Sequence, residues 1–451
     1  YQKQKAIIKI MLSSKELSNL DVIKKINSRL DPENLSHIEK SVSEIVNKVK
    51  NTGNAAIKEF SEKFDKYILK DEELKGISVK GAYKLLDAEL KQSLEVAKER
   101  IERFHIEEYR SSNFAQGWGF TGNLGERLGV RYTSLDSVAV YIPGGKAPLF
   151  STVLMTVIPA KVAGVKRIVL FSPPPIHPSI QGLADLLDID EVYPIGGAQA
   201  IAAAAYGTET IKPVDKVVGP GNIFVSLAKK NVFGVIGIDG IFGPSELAIV
   251  ADNSANPKEI AADFLSQLEH GSGLESALLI CTDQKLLADS IREIEAQIDS
   301  LKAHKTDEQI AVIRSSYQNF SACIFSDNPD EISELINFYA PEHLELQVVD
   351  SLASILITSV KHAGAIFIGA NACESLGDYL AGPSHCLPTG RGARYASGLH
   401  SADFMKKSSL IDFRGVSKDC DGFKELAQHT ARLARAENLE AHARAIINRV
   451  S

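Results

Sequence analysis

The feature that most constrains this chain is a change of texture at Ser137, where short β-branched runs begin to alternate with helical, alanine-rich segments. Val138–Ile142, Arg167–Phe171, Glu191–Ile195 and Lys216–Val218 are separated by stretches such as Thr152–Ala163 and Ala198–Tyr206. That alternation predicts βαβ units and a parallel sheet. A second series follows, with strands expected near Leu247–Val250, Ala277–Cys281, Ala322–Phe325 and Ala365–Ile368, and helices at Pro257–Leu268, Lys285–Leu301 and Asp330–Phe338. Two α/β domains are the economical reading. At about 150 residues per domain, a chain of 451 also leaves room for appendages. One precedes the first series, where Lys and Glu alternate with apolar residues at helical spacing (Val42, Ile45, Val46 and Val49; Leu85, Leu86, Leu90 and Leu94) and predict surface helices. The other, 422–450, reads as one long Ala/Arg/Glu-rich helix that packs either on its own chain or on a neighbour.

Charge and cysteine content exclude several classes. The net charge is only −7 and the Lys and Arg residues are scattered, so no basic stripe for nucleic acid is present. The five cysteines are odd in number and without CxxC spacing, which argues against a disulfide framework and a thiolate zinc site and points to a reducing cytoplasm. Ala6–Leu12 is apolar but broken by Lys9, too short for a signal peptide. No run of about 18 apolar residues suggests a membrane span.

Glycine clusters follow three predicted strands: Tyr141-Ile-Pro-Gly-Gly145, Ile195-Gly-Gly-Ala-Gln199 and Val218-Gly-Pro-Gly-Asn222. Such loops suit a pyrophosphate at a helix N-terminus, but they serve equally as tight βα turns, and none matches GxGxxG or a Walker A loop. The polar segments are similarly open when taken singly. Gln267 and His270 share a face at the end of a predicted helix, where a histidine can simply interact with the helix dipole. Glu342 and His343 stand side by side after a proline; they suit two proton transfers or an exposed polar turn. Asp378 and His385 lie in a loop dense in glycine and proline. Glu437 and His442 are five residues apart, about 140° around a regular helix, so a shared site requires a cleft or a bend. Gln267, His270, Asp378 and His442 together offer two imidazoles and two oxygen ligands, compatible with Zn²⁺, other divalent metals or non-haem iron.

Read in order, these segments resemble the histidinol dehydrogenase family over nearly the whole chain. The blocks that carry the resemblance are Tyr141–Met155, Gly196–Ile201, Val214–Asn222, Gly243-Pro-Ser-Glu246, Leu265–His270, Ala340-Pro-Glu-His-Leu344, Gly377-Asp-Tyr379, His385–Thr389 and Ala436–His442. The resemblance implies an α/β fold of two incomplete Rossmann-like parallel-sheet domains with a helical N-terminal segment and a swapped helical C-terminal tail. Its divisions would be 1–24 for the N-terminal segment, 25–140 with 245–395 for the first Rossmann-like domain, 141–244 for the second, and 396–451 for the tail exchanged in a homodimer. It implies oxidation of L-histidinol through L-histidinal to L-histidine by two NAD, with one Zn²⁺ per subunit held by Gln267, His270, Asp378 and His442. It further implies NAD contacts at Tyr141, Gln199 and Asn222 and a catalytic pair Glu342 and His343. Substrate contacts would fall on Ser245, His385 and Glu437 together with the metal ligands and His343, with Glu437 and His442 completing the partner's site. Departures at Gly240-Ile-Phe242 and Ser272-Gly-Leu274 fall on the substrate side. They keep open a relative acting on another small polar alcohol such as a sulfonated diol. A zinc hydrolase, with Glu342 activating water and the glycine loops acting only as turns, is a further alternative.

Overall fold

The computed structural model describes residues 18–30, 36–144 and 148–451; the run Ala6–Leu12 and part of the Tyr141–Met155 block lie outside them. Thirteen strands form three sheets among the described residues. β3 (Ser137–Tyr141), β4 (Arg167–Phe171), β5 (Glu191–Tyr193), β6 (Lys216–Val218) and β7 (Gly237–Ile238) make one parallel sheet in the order β5-β4-β3-β6-β7. β8 (Glu246–Ala251), β9 (Ser276–Cys281), β10 (Ala322–Phe325), β11 (His343–Gln347) and β12 (Ala365–Ile368) make the other, in the order β10-β9-β8-β11-β12. Numbered within its own sheet, each order is 3-2-1-4-5, the doubly wound arrangement one strand short of the full dinucleotide fold. Strands such as β8 and β9 are buried at every position, as a sheet covered by helices on both faces demands.

The third sheet is antiparallel: β1 (Trp118–Thr121), β2 (Arg127–Ser134) and β13 (Met405–Asp412), ordered β1-β2-β13. The full register of β13 against β2 ties the start of the C-terminal segment to its own chain. Beyond it, the long helix expected over 422–450 is two helices, Asp421–Ala436 and Glu440–Ile447. Asn438, at φ 61° in the left-handed region, breaks the ladder, a conformation asparagine tolerates better than most residues. The two helices pack on one another through Ala431, Ala434 and Ala443, and the pair buries little else: Leu433 is 70% exposed.

Core contacts cut across the division 25–140 with 245–395. Helix Ser36–Thr52 turns Val42, Ile45, Val46 and Val49 onto the alanine-rich helix Gly197–Tyr206, and helix Ala88–Ser111 packs on helix Ser151–Val162, so both cover the β3–β7 sheet. The physical reason is fit. A helix of small side chains leaves a shallow groove that a stripe of branched residues fills. Helix Asn19–Asn27, which precedes them, joins the second sheet through Ile23 and Ile26.

Helix Pro257–Leu268 shows how sequence fixes a site-bearing element. Asn256 caps it by accepting from the Lys258 N–H, Pro257 occupies the first turn, and Ile260, Ala261, Phe264, Leu265 and Leu268 form the buried stripe. Phe264 meets the Tyr317 ring edge-on, with centroids 6.0 Å apart. Phe264→Ala is expected to lower stability by about 3–5 kcal/mol in urea unfolding. A cost below about 1 kcal/mol would mean that the helix is not anchored there.

Candidate active site

Parallel strands present different chemistry at their two ends, and here opposite ends meet. A cavity of about 650 Å³ lies between the carboxyl ends of β3 and β6, which contribute Pro143 and Pro220, and the amino ends of β8 and β11, which contribute Ser245, Glu342 and His343. His270, Asp378 and His385 also line it. Six of the residues singled out in the sequence thus share one cavity.

The turn that aims Glu342 and His343 is built from an unusual backbone. Helix Pro329–Tyr339 ends on Ala340 in the left-handed region (φ 53°), Pro341 blocks further helix, and β11 begins at His343. β11 was not foreseen: residues 339–345 read as a polar turn, whereas His343 opens a buried strand and Glu342 stands just before it. Glu342 is 6% exposed, and its Oε2 accepts from the Glu246 N–H at 3.1 Å. Burial raises its pKa well above the carboxylate range, with the hydrogen bonds from Glu246 and Ser245 opposing. His343 is 3% exposed; burial drives its pKa down to about 4, so the ring is neutral at pH 7. Its Nδ1 is buried without a hydrogen bond, 3.8 Å from a Glu342 oxygen and 3.9 Å from Glu374 Oε1, too far for direct bonds.

The metal-ligating candidates gather around a residue that sequence reasoning passed over. Glu374 and Asp378 are four apart on the short helix Glu374–Tyr379 and share its face; with His270 their ligand atoms lie within 4.8 Å of one another. The i,i+4 spacing was the available signal. Glu374 Oε2 accepts from Ser266 Oγ at 3.1 Å, while its Oε1 has no partner. Gln267 is fully buried with both amide atoms unpaired. His270 Nδ1 donates to the Gln267 carbonyl at 3.1 Å, which leaves its Nε2 lone pair free. Unpaired buried polar atoms are costly. A carboxylate pair, a free imidazole nitrogen and an orphaned amide therefore suit a divalent cation with nitrogen and oxygen ligands. His385 is held on both sides: Nδ1 donates to the Asp378 carbonyl at 3.0 Å and Nε2 accepts from Thr152 Oγ1 at 3.0 Å.

Within one chain Glu437 and His442 line no part of this cavity; both are exposed, and His442 borders a separate surface depression on the C-terminal hairpin. None of the three expected dinucleotide contacts lines this cavity. Tyr141 ends β3 and its hydroxyl accepts from the Gly197 N–H at 3.0 Å; Gln199 Nε2 donates to Asp65 Oδ2 at 3.4 Å. Asn222 caps helix Ile223–Val232 through Oδ1. The Gly219 loop passes so close to β3 that a Cβ there would stand 2.3 Å from the Tyr141 carbonyl oxygen, and its φ of +109° also favours glycine.

Comparison with known proteins settles the lineage. A family model described as histidinol dehydrogenase matches residues 29–450. The chain belongs to the histidinol dehydrogenase family. Among similar histidinol dehydrogenases, that of Bacillus licheniformis is 45% identical over 91% of this chain and 93% of its own length. That of Synechococcus sp. is 43% identical over 94% and 95%. A crystal structure of histidinol dehydrogenase from Elizabethkingia anophelis superposes with a TM-score of 0.80 at 34% identity, covering 93% of this chain and 92% of that one. The chain is accordingly an oxidoreductase of this family. Among the described residues no helix is long and apolar enough to cross a membrane.

The cluster generates a direct expectation. His270→Ala and Asp378→Asn should each lower Zn²⁺ affinity of metal-stripped protein by more than about 100-fold, beyond the range typical of outer-sphere changes. Calorimetric titration reads this, and wild-type affinity in both variants would remove the cluster from consideration.

Proposed function

We propose that this protein oxidises L-histidinol through L-histidinal to L-histidine, using two NAD and one zinc ion per site. The observation that carries the reading is the buried, neutral and unpartnered Nδ1 of His343 beside Glu342 in a cavity that also contains the His270, Glu374 and Asp378 cluster. Family membership supplies the substrate. Gln267, His270 and Asp378 are the zinc ligands available within one chain, with Glu374 beside them. His442 is the fourth ligand and comes from a second copy of the chain, as does the substrate contact Glu437. The hairpin that carries both has an apolar face with little to cover it in one chain, which supports a homodimer with exchanged tails. NAD would contact Tyr141, Gln199 and Asn222, which belong to β3 and the glycine turns of the first sheet. The five free cysteines agree with a reducing cytoplasm.

When bound, zinc would hold the substrate's amine and a ring nitrogen, fixing its orientation, and its charge would favour the ionised form of Glu342. Bound NAD supplies the hydride acceptor, one molecule per oxidation. His343, neutral because it is buried, takes the hydroxyl proton of the alcohol at Nδ1 as the carbon gives up hydride. Ser245 and His385 hold the polar end of the substrate, His385 having its own orientation fixed by Thr152 and the Asp378 carbonyl. Glu342 then removes a proton from the water that adds to the aldehyde, while the protonated His343 gives its proton to the aldehyde oxygen and is neutral again. His343 accepts the hydroxyl proton of the resulting hydrate in the second oxidation. The pair thus divides the work: the imidazole serves both oxidations and the carboxylate serves the second.

The first test is stoichiometric. Purified protein should form about two NADH per L-histidinol consumed, lose this on chelation and regain it with zinc. No NADH from histidinol, with turnover of another amino alcohol or diol, would move the chain to a sister specificity. The second separates the two roles. His343→Asn should reduce both oxidations by at least about 100-fold, whereas Glu342→Gln should spare oxidation of the alcohol and lose that of the aldehyde. Equal loss of both half-reactions in Glu342→Gln would count against the assignment.

A further inference from the structure

The most completely buried ion pair near the cavity involves no residue assigned above. Arg29, just after the first described helix, reaches Glu246 with its Nη2 2.6 Å from Oε1, and both side chains have no exposure. The rest of the guanidinium is also satisfied: Nη1 donates to the Ile26 carbonyl at 2.9 Å and Nε to the Leu274 carbonyl at 3.1 Å. The other oxygen of Glu246 accepts from the Gly390 N–H at 3.2 Å. One carboxylate therefore joins the N-terminal helix, the first residue of β8 and the end of the His385–Thr389 loop. A second tie reinforces it, since the Gly243 N–H donates to Thr389 Oγ1 at 2.5 Å.

From this anchor a single step reaches the chemistry. The backbone N–H of Glu246 donates to Glu342 Oε2, and Ser245 immediately precedes it. Glu246 is a charge as well as a tether, because its carboxylate opposes ionisation of Glu342. Burial favours the neutral acid at Glu246, whose pKa is pushed up to about 7, and Arg29 is the principal cation opposing this. A guanidinium suits the position: it is planar, always charged and able to satisfy three acceptors at once.

We infer that Arg29 is a positioning residue for Glu342, acting through Glu246: by clamping the Glu246 carboxylate it fixes the β8 N–H that holds the Glu342 carboxylate in place. The inference rests on the reading that Glu342 activates the water of the second oxidation. Arg29 touches neither substrate nor cofactor in this scheme, and its removal acts on one half-reaction.

The test uses zinc-loaded full-length protein, with NADH formation followed separately from L-histidinol under single-turnover conditions and from L-histidinal. Arg29→Met should slow oxidation of the aldehyde by about tenfold or more while the alcohol step stays within about twofold of wild type. Arg29→Lys, which restores the charge without the planar fork, should show the same split at about threefold and serves if the methionine variant does not fold. Glu342→Gln is measured in parallel. If it splits the half-reactions and neither Arg29 variant does, or if Arg29→Lys slows both equally, the positioning role is overturned and the reading of Glu342 stands. If Glu342→Gln itself slows both equally, that reading fails, and this one falls with it.

Discussion

Desolvation is the constraint on which the rest of this architecture depends. Gln267, Glu342, His343 and Glu374 are each at least nine-tenths buried, and three of them carry polar atoms with no partner in the chain. Several such groups around one cavity are costly unless something else completes them. The surrounding fold is arranged to tolerate them. Two sheets whose central strands are covered on both faces supply rigid strand ends, Glu246 and Ser266 hold one carboxylate each, and Ala340 accepts a left-handed conformation so that β11 can begin on His343. The pKa directions follow from the same cause, since burial alone suffices to keep the imidazole neutral and to make the carboxylates reluctant to ionise.

The fold was legible to the extent that its periodicity was strong. The β-branched runs of the first sheet and most of the second could be read directly, and the structure returns them within a residue or two. β11 could not, because His343, Glu345 and Gln347 stand where a fully buried strand ordinarily carries apolar residues, leaving only Leu344 and Leu346. Glu345 and Gln347 are tolerated there because Gln347 Nε2 donates to Glu345 and Glu345 also accepts from the Glu374 N–H. A strand loaded with functional groups loses the pattern by which strands are recognised. The C-terminal break was half visible: the poor angular match of Glu437 and His442 demanded a bend, and Asn438 supplies it.

The site was legible mainly through resemblance. Single motifs left Gln267, His270, Glu342 and His343 balanced between chemistry and ordinary helix ends or turns; only their order along the chain broke the balance. What that reading missed has no local signature. Arg29 lies far from Glu246 in sequence, and nothing in its neighbourhood marks it as more than a surface cation on a lysine-rich helix. Glu374 was within reach, since its spacing to Asp378 places both on one helical face.

The two sheets share one strand order yet offer opposite edges to the cavity. A two-fold axis between the halves would bring like edges together, so they are stacked head to tail, a heterologous arrangement of similar units. Each wall consequently specialises. One presents glycine turns and helix N-termini, the surroundings that favour phosphate; the other presents imidazole and carboxylates, the surroundings that move protons. On the proposed function, a dinucleotide seated on the first wall would depart and be replaced without loosening the second. Retention of the aldehyde and exchange of the cofactor would then belong to different halves of the molecule.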